Sequence, residues 1–196
     1  MNNKKDVHVA LQESFKKLIL KHNFDKITIK MITDDAGLIR PTFYNHYADK
    51  YEVLEEIFYN DIFKGSKMLI ENKMPYEAIY YMFSRIESNK KFYLQAIKIT
   101  GQNSFEEIIN NNLIKIFKNL FNQYDINNSK EKFSVNDIAE YYSRGLTFII
   151  KRWIEQGVKI SSRELADKYK ILVTNSLDDI IHALTNNNLN YKNSSM

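Results

Sequence analysis

Apolar residues recur at helical spacing along nearly the whole chain. The first stripe, at positions i, i+4, i+7 and i+8, is formed by Leu11, Phe15, Leu18 and Ile19. Residues at this spacing share one face of an α-helix, so the stripe predicts a helix over about 5–22. No segment carries the period-two alternation that would identify a half-buried strand. The pattern therefore favours an all-α protein of about nine helices.

Two short helices follow, separated by a glycine. Thr28 can cap a helix over 29–36 because its hydroxyl can accept a bond from a free first-turn amide. Gly37 can end that helix, since glycine tolerates a positive φ. Pro41 is tolerated in the first turn of a short third helix, where the amides have no internal partner.

A long fourth helix over about 50–72 is predicted next, with Asp49 as its cap. Its stripe is Tyr51, Leu54, Ile57, Phe58 and Ile62. Five further periodic segments predict helices over 76–88, 90–100, 105–124, 135–156 and 163–184. We expect a helix-turn-helix domain over 1–50, a helical body over 51–185 joined by the fourth helix, and a disordered polar tail over 186–196.

Composition removes several classes of function. The chain has five Gly, two Pro and no Cys, which disfavours a many-stranded sheet and excludes disulfides, thiolate metal sites and cysteine nucleophiles. The four histidines form no metal motif, no glycine-rich phosphate loop exists, and adjacent carboxylates point to different helix faces. We expect no metal, no cofactor and no enzyme. Without a long apolar run or signal peptide, the protein is expected in the cytoplasm and away from membranes.

Positive charge is concentrated at the N-terminal end. Of the net charge of +4, residues 1–50 carry nine cations against six anions, or +3, and residues 51–196 carry nineteen against eighteen, or +1. An anionic partner would meet the first quarter of the chain. A surplus of three charges by chance is the alternative.

The third helix has an unusual outer face. At about 100° per residue, Phe43 and Tyr47 share the inner face. The opposite face holds Pro41, Thr42 and Asn45, flanked by Tyr44 and His46, with no carboxylate. Asparagine can bond an adenine edge, the threonine methyl can meet a thymine methyl, and Arg40 and Lys50 can reach phosphates. Alternatively, Tyr44 packs on the second helix and Lys50 is merely solvated.

Residues 27–58, ITIKMITDDAGLIRPTFYNHYADKYEVLEEIF, resemble the DNA-binding domain of the TetR family of bacterial transcriptional regulators. The resemblance rests on Thr28 and Ile32, Ala36-Gly37, Thr42-Phe43-Tyr44, Tyr47 and Lys50 to Leu54. It implies that Phe43 and Tyr47 are core. It also implies residues at or near DNA, which are Thr28, Lys30, Arg40, Pro41, Thr42, Tyr44, Asn45, His46 and Lys50.

Two features depart from the family pattern. Ile39 stands where a Ser or Thr cap is usual, which weakens the start of the third helix by about 1 kcal/mol, with Pro41 as a partial compensation. Asp34 and Asp35 would oppose phosphates if they faced DNA, so we expect them to point sideways.

The resemblance implies sensing and dimer contacts in the C-terminal part. A dimer interface is expected at Tyr142, Gly145, Ile149, Tyr169, Leu172, Ser176 and Ile180. The alternative is that these stripes are monomer core. Residues 141–165 are also similar to the dihydroxyacetone-kinase regulators, a subgroup whose members can activate transcription.

A ligand pocket is a further expectation. Aromatic residues could line a cavity in the helical body. They are Tyr80, Phe83, Phe92, Tyr93, Phe117, Tyr141, Phe148 and Trp153. Aromatic residues at helical spacing are more often plain core.

The predicted function is that of a TetR-type regulator. It would bind a palindromic operator in double-stranded DNA as a homodimer and act as a repressor released by a small-molecule effector. One alternative is an activator of the same fold. Another is a helical sensor or adaptor that works through a protein partner without specific DNA binding.

Overall fold

The computed structural model describes residues 4–101, 104–124 and 133–185, and the regular secondary structure within these ranges is helical, as predicted. The α-helices are α1 (Lys4–Ile19), α2 (Ile29–Asp35), α3 (Arg40–Tyr44), α4 (Lys50–Phe58), α5 (Lys64–Glu71), α6 (Pro75–Ser88), α7 (Lys90–Ala96), α8 (Phe105–Phe121), α9 (Val135–Glu155), α10 (Ser162–Thr174) and α11 (Leu177–Thr185). A 3₁₀ turn spans Phe24–Lys26, and a π turn spans Tyr59–Phe63. The predicted disordered tail lies outside the described residues.

Local signals place the N-terminal helices. The Thr28 hydroxyl accepts a bond from the Met31 amide, and Gly37 has a φ of 68°, so the predicted start and end of α2 are confirmed. Helix α3 begins after Ile39, which makes no side-chain cap, with Pro41 in the first turn as expected. α1 packs on α2 and α4, and α2 packs on α3.

The core beneath these helices is apolar. Leu11 and Phe15 of α1, Ile32 of α2 and Phe43 of α3 are fully buried, and Tyr47 is 4% exposed. The predicted inward phase of Phe43 and Tyr47 is therefore confirmed. Their burial fixes which side of α3 faces outward.

The predicted fourth helix is continuous from Lys50 to Glu71 but contains the π turn, so that it counts as α4 and α5. The Asp49 carboxylate accepts bonds from the Tyr51 and Glu52 amides, which confirms the predicted cap. Periodicity gave no sign of the π turn, because the predicted stripe ends with Phe58 and Ile62, and a separation of four residues is ordinary α-helical spacing.

A polar network holds the π turn against the body. The Asp61 carboxylate accepts bonds from Arg85 (2.6 Å), from the Asn89 amide (2.9 Å) and from the Tyr93 hydroxyl (2.6 Å). The Asp61 side chain is 10% exposed. Burial, followed by the Asp61 charge, raises the pKa of Tyr93, so this phenol stays protonated and donates. The network joins the continuous helix Lys50–Glu71, which we call the connecting helix, to α6 and α7.

The body packs α8 against α9 and α6 against both α5 and α10. The last predicted helix, 163–184, was wrong as a single element. α10 ends at Thr174, and Asn175 is extended. Ser176 and Asp179 then bond each other's backbone amides, which starts α11 with a capping box. The remaining predicted helix ends differ from the observed ones by at most four residues.

Candidate DNA-binding site

The outer face of α3 presents polar and cationic side chains. Arg40, Pro41, Tyr44 and Asn45 are exposed, and Thr42 is half-buried. The Arg40 guanidinium donates to the Tyr44 hydroxyl one turn later (3.3 Å), while the Tyr44 ring rests edge-on against Phe43. These residues form one continuous surface, which we call the α3 face. It contains no carboxylate.

Helix α2 contributes a second edge next to the α3 face. Thr28 and Lys30 are exposed at its start. The Lys30 ammonium pairs with Asp34 at 2.5 Å, and Lys17 lies 3.6 Å from Asp35. Each of the two aspartates therefore has a lysine beside it, which offsets the repulsion that they would exert on phosphates. Such exposed pairs are weak, so Lys30 can exchange its partner for a phosphate.

Two residues that were predicted to lie at or near DNA, His46 and Lys50, make contacts inside the protein. His46 is half-buried, and its ring lies edge-on to His8 of α1 with centroids 4.6 Å apart. The Lys50 ammonium donates to three backbone carbonyls, those of Phe24 (2.7 Å), Ile27 (3.1 Å) and Asp25 (3.3 Å).

Lys50 therefore ties the start of α4 to the 3₁₀ turn. Its ammonium also lies over the Phe24 ring, 4.3 Å from the centroid. Burial lowers the pKa of Lys50, and the nearby charges of Asp25 and Asp49 partly offset that effect. In this arrangement a phosphate would have to replace carbonyl partners that the ammonium already has.

The aromatic residues predicted to line a pocket fall into two groups. Phe83, Phe92, Tyr93, Phe117 and Trp153 are buried and pack on other aromatic or aliphatic side chains. Their polar groups are committed internally, because Trp153 donates to the Ile160 carbonyl and Tyr93 to Asp61. Tyr80 is half-buried beneath the Arg163 guanidinium.

The second group corrects the pocket prediction. Tyr141 is 75% exposed and Phe148 is 60% exposed, so neither lines an interior cavity. Both lie on the side of α9 that turns away from α8. The sequence shows that Tyr141 and Phe148 are aromatic, but it does not show that no other part of the monomer packs over them.

A cavity of about 130 Å³ lies elsewhere, between the start of α4 and α8. It is lined by Asp49, Tyr51, Glu52, Glu55 and Ile108. None of these residues was among the predicted pocket residues, and acidic positions on a helix normally indicate a solvated face.

The predicted dimer residues also divide. Tyr169 is 6% exposed and packs edge-on against Phe83, so its assignment to an interface was wrong and it belongs to the monomer core. Tyr142 and Ile149 are half-buried on the inner side of α9, where Tyr142 contacts Phe117. Ile180 is half-buried. Gly145, Leu172 and Ser176 are exposed.

Exposed apolar residues recur on three helices of the body, α9, α10 and α11, and we refer to them together as the apolar face. On α9 it runs through Tyr141, Gly145 and Phe148, one helical turn apart. On α10 and α11 it comprises Leu172, Leu177, Ile181 and Leu184. Helix α11 has no buried residue at all. A Cβ added to Gly145 would meet no atom within 4 Å, so packing inside the monomer does not require this glycine.

Comparisons with known proteins agree with the geometry. Residues 73–175 match a TetR family model, described as a transcriptional regulator C-terminal region. The structure is similar to the dihydroxyacetone kinase operon activator DhaS, with a TM-score of 0.59, 22% identity, and coverage of 85% of this chain and 93% of that one. No curated protein matches the chain.

A second similar structure is NalD, the secondary repressor of the MexAB-OprM multidrug efflux pump in Pseudomonas aeruginosa. It has a TM-score of 0.58, 14% identity, and the same coverage of 85% and 93%. At these identities the two structures show the fold alone. Within the described ranges, every helix is too short or too polar to cross a bilayer. The matched family model covers more than half of the 196 residues, and the chain therefore belongs to the TetR family of transcriptional regulators, which are not enzymes.

Proposed function

We propose that this protein is a cytoplasmic regulator that binds a palindromic operator as a homodimer, with the α3 face in the major groove. The observation that carries the proposal is the composition of that exposed face. Arg40, Tyr44 and Asn45 are solvent-facing and free of competing carboxylates, while Phe43 anchors the helix from below. Exposed Asn side chains are suited to base edges, and Arg guanidinium groups and Tyr hydroxyls are suited to phosphates.

The apolar face supports the homodimer. Tyr141 and Phe148 of α9 and Leu177 and Leu184 of α11 are all exposed, and large apolar side chains in water are costly unless another surface covers them. Gly145 within α9 lowers helix stability by about 1 kcal/mol relative to alanine, which close approach of a second backbone would offset. A second copy of the same face supplies that approach and gives the twofold symmetry of a palindromic site.

The connecting helix supports control by an effector. α4 lies against α1, and the same helix continues through the π turn into the body, where Asp61 is held by Arg85, Asn89 and Tyr93. A ligand that moved this junction would tilt α4. Two recognition helices must lie about 34–36 Å apart to reach successive major grooves, so a small tilt would release DNA.

The sign of regulation is part of the proposal. We favour a repressor that its effector releases. DhaS is described as an activator and NalD as a repressor, so this fold serves both signs. A reporter gene placed behind the operator, once that operator has been selected from a random library, shows whether the protein lowers or raises transcription. A fall in transcription supports the repressor, and a rise supports the activator.

Selection of bound duplexes from a random library tests DNA binding. We expect one palindromic sequence to be enriched, and its affinity to fall steeply with salt because phosphate contacts release counterions. Arg40→Ala should lower the slope of log affinity against log salt by about one. Lys115→Ala, an exposed cation on α8, is the matched control and should leave the slope unchanged.

Enrichment of no sequence over random duplexes would reject specific DNA binding. It would favour the helical sensor or adaptor that acts through a protein partner. A loss of slope in Lys115→Ala equal to that in Arg40→Ala would show that the contact with DNA is not centred on α3.

A further inference from the structure

Side chains from α1 and α4 meet at the phenol oxygen of Tyr47, which lies in the turn after α3. This oxygen lies 2.5 Å from Glu56 Oε2 of α4, 2.9 Å from His8 Nδ1 of α1 and 3.2 Å from Gln12 Nε2 of α1. His8 Nδ1 is also 3.1 Å from Glu56 Oε2. We call His8, Gln12, Tyr47 and Glu56 the Tyr47 cluster. None of the four was predicted to contact DNA.

The protons in the cluster can be assigned by counting donors. Burial alone would raise the pKa of Glu56, but the hydrogen bonds from Tyr47 and His8, with the His8 charge, hold it below its usual value. Glu56 is therefore an ionised acceptor at neutral pH. Tyr47 has one proton, and at 2.5 Å it donates that proton to Glu56.

His8 must consequently be a donor. With its own proton directed at Glu56, the Tyr47 oxygen can only accept from Gln12 and from His8 Nδ1. His8 therefore carries a proton on Nδ1, as the neutral tautomer or as the imidazolium. When His8 is charged, its contact with Glu56 becomes an ion pair.

Two more ionisable side chains lie near the cluster. The His46 ring, directly before Tyr47 in the chain, stands edge-on to the His8 ring. Burial, helped by the charges of Glu56 and Glu52, raises the pKa of Tyr47, so the phenol keeps the proton that it donates. The Glu52 carboxylate accepts a bond from the Ala48 amide.

The cluster acts on the recognition helix through Tyr47. The Tyr47 ring is 4% exposed and packs against Phe43 at 5.7 Å, and Phe43 lies directly beneath the α3 face. Glu56 belongs to the helix that continues into the body. One phenol oxygen therefore fixes the end of α3 relative to both α1 and α4.

We propose that His8 and Glu56 are positioning residues for DNA recognition, and that their hold on Tyr47 raises discrimination between operator and random DNA. This inference rests on the proposed function. The ratio of operator affinity to random-duplex affinity should fall by roughly two- to fivefold when either residue loses its bond to the Tyr47 oxygen, the range that partly exposed contacts of this kind support. Using the ratio removes the general change in affinity that any change of net charge gives.

The test measures this ratio at constant pH and ionic strength, with the duplex selected by the full-length protein. His8→Ala removes the N–H donor, Glu56→Gln removes the acceptor charge, and Tyr47→Phe removes only the hydroxyl, so all three should lower the ratio. His8→Asn retains an N–H donor and should restore part of it. His22→Ala, at an exposed histidine of the same domain, and Glu55→Gln, at the exposed neighbour of Glu56, should leave the ratio unchanged.

A second readout needs no DNA. Hydrogen exchange at the amides of residues 42–47 should be several-fold faster in Tyr47→Phe and Glu56→Gln than in the wild type, and unchanged in Glu55→Gln. A wild type that shows no sequence preference rejects the proposed function, and the exchange rates then decide whether the cluster holds α3. A wild-type ratio in His8→Ala, or unchanged exchange in Tyr47→Phe, would overturn the inference.

Discussion

The α3 face and the apolar face are both exposed, yet they have opposite chemistry. The α3 face offers Arg40, Tyr44 and Asn45 over a buried phenylalanine, whereas the apolar face offers exposed large apolar side chains such as Phe148 and Leu177. A polar, cationic surface without carboxylates suits an anionic duplex that keeps part of its water. An apolar surface suits a partner that excludes water, and a second copy is the partner we propose. The contrast teaches that exposure alone identifies a possible binding surface, whereas the chemistry of its side chains indicates which class of partner it suits.

The strongest test of this contrast is Phe148→Glu. A carboxylate placed in the apolar face would remain unpaired in a dimer, so we expect the dimer dissociation constant to rise roughly 30-fold or more. Sedimentation equilibrium measures it, and operator affinity should fall with it. Met68→Glu, at an exposed apolar position on α5, should leave the dimer intact. Equal behaviour of the two variants would show that the apolar face is not the interface.

The matching change on the α3 face is Asn45→Ala. Loss of a bidentate contact to one base should weaken operator binding by about 1–3 kcal/mol and relax the preference at one base position. Binding to random duplexes should hardly change. Repeating the library selection with the variant measures both effects. An unaltered base preference would mean that a different side of α3 enters the groove.

Lys50→Met separates support of the site from contact with DNA. Methionine keeps much of the stem but loses three bonds to backbone carbonyls, so the free energy of unfolding should fall by about 1–2 kcal/mol. Urea denaturation followed by circular dichroism measures the change. Unchanged stability with a salt slope lower by about one would instead show that Lys50 binds a phosphate.

The smallest expected effect concerns the start of α3. Ile39 is 67% exposed and provides no cap, so Ile39→Thr should raise the free energy of unfolding by about 1 kcal/mol. The isosteric control Ile39→Val has no hydroxyl and should give no such gain. A thermal melt compares the two variants, and equal melting temperatures would show that the cap position is not limiting.

Much of the fold could be predicted from the sequence. Thr28, Gly37 and Asp49 act on amides or dihedral angles within a few residues, so their roles as caps and as a helix end are readable locally. The inward phase of Phe43 and Tyr47 follows from helical geometry alone. The break at Asn175 was missed because an apolar stripe can continue across a new capping box.

Less of the site could be predicted, because contacts distant in sequence decide it. The three carbonyl partners of Lys50 lie 23 to 26 residues earlier in the chain. Tyr169 has the same helical spacing as an interface residue, but Phe83 covers it. Tyr141 and Phe148 are of residue types common in protein cores, but no other part of the monomer covers them.

The sequence by itself determined the helical class, the position of α3 and that Phe43 and Tyr47 face inward. These properties depend on interactions within one or two helical turns, which periodicity and cap residues encode directly. Only the tertiary structure decided that Lys50 holds a turn, that the apolar face includes Tyr141 and Phe148, and that His8 and Glu56 meet at Tyr47. Each of these depends on which elements pack together, and the pattern along a single helix does not contain that information.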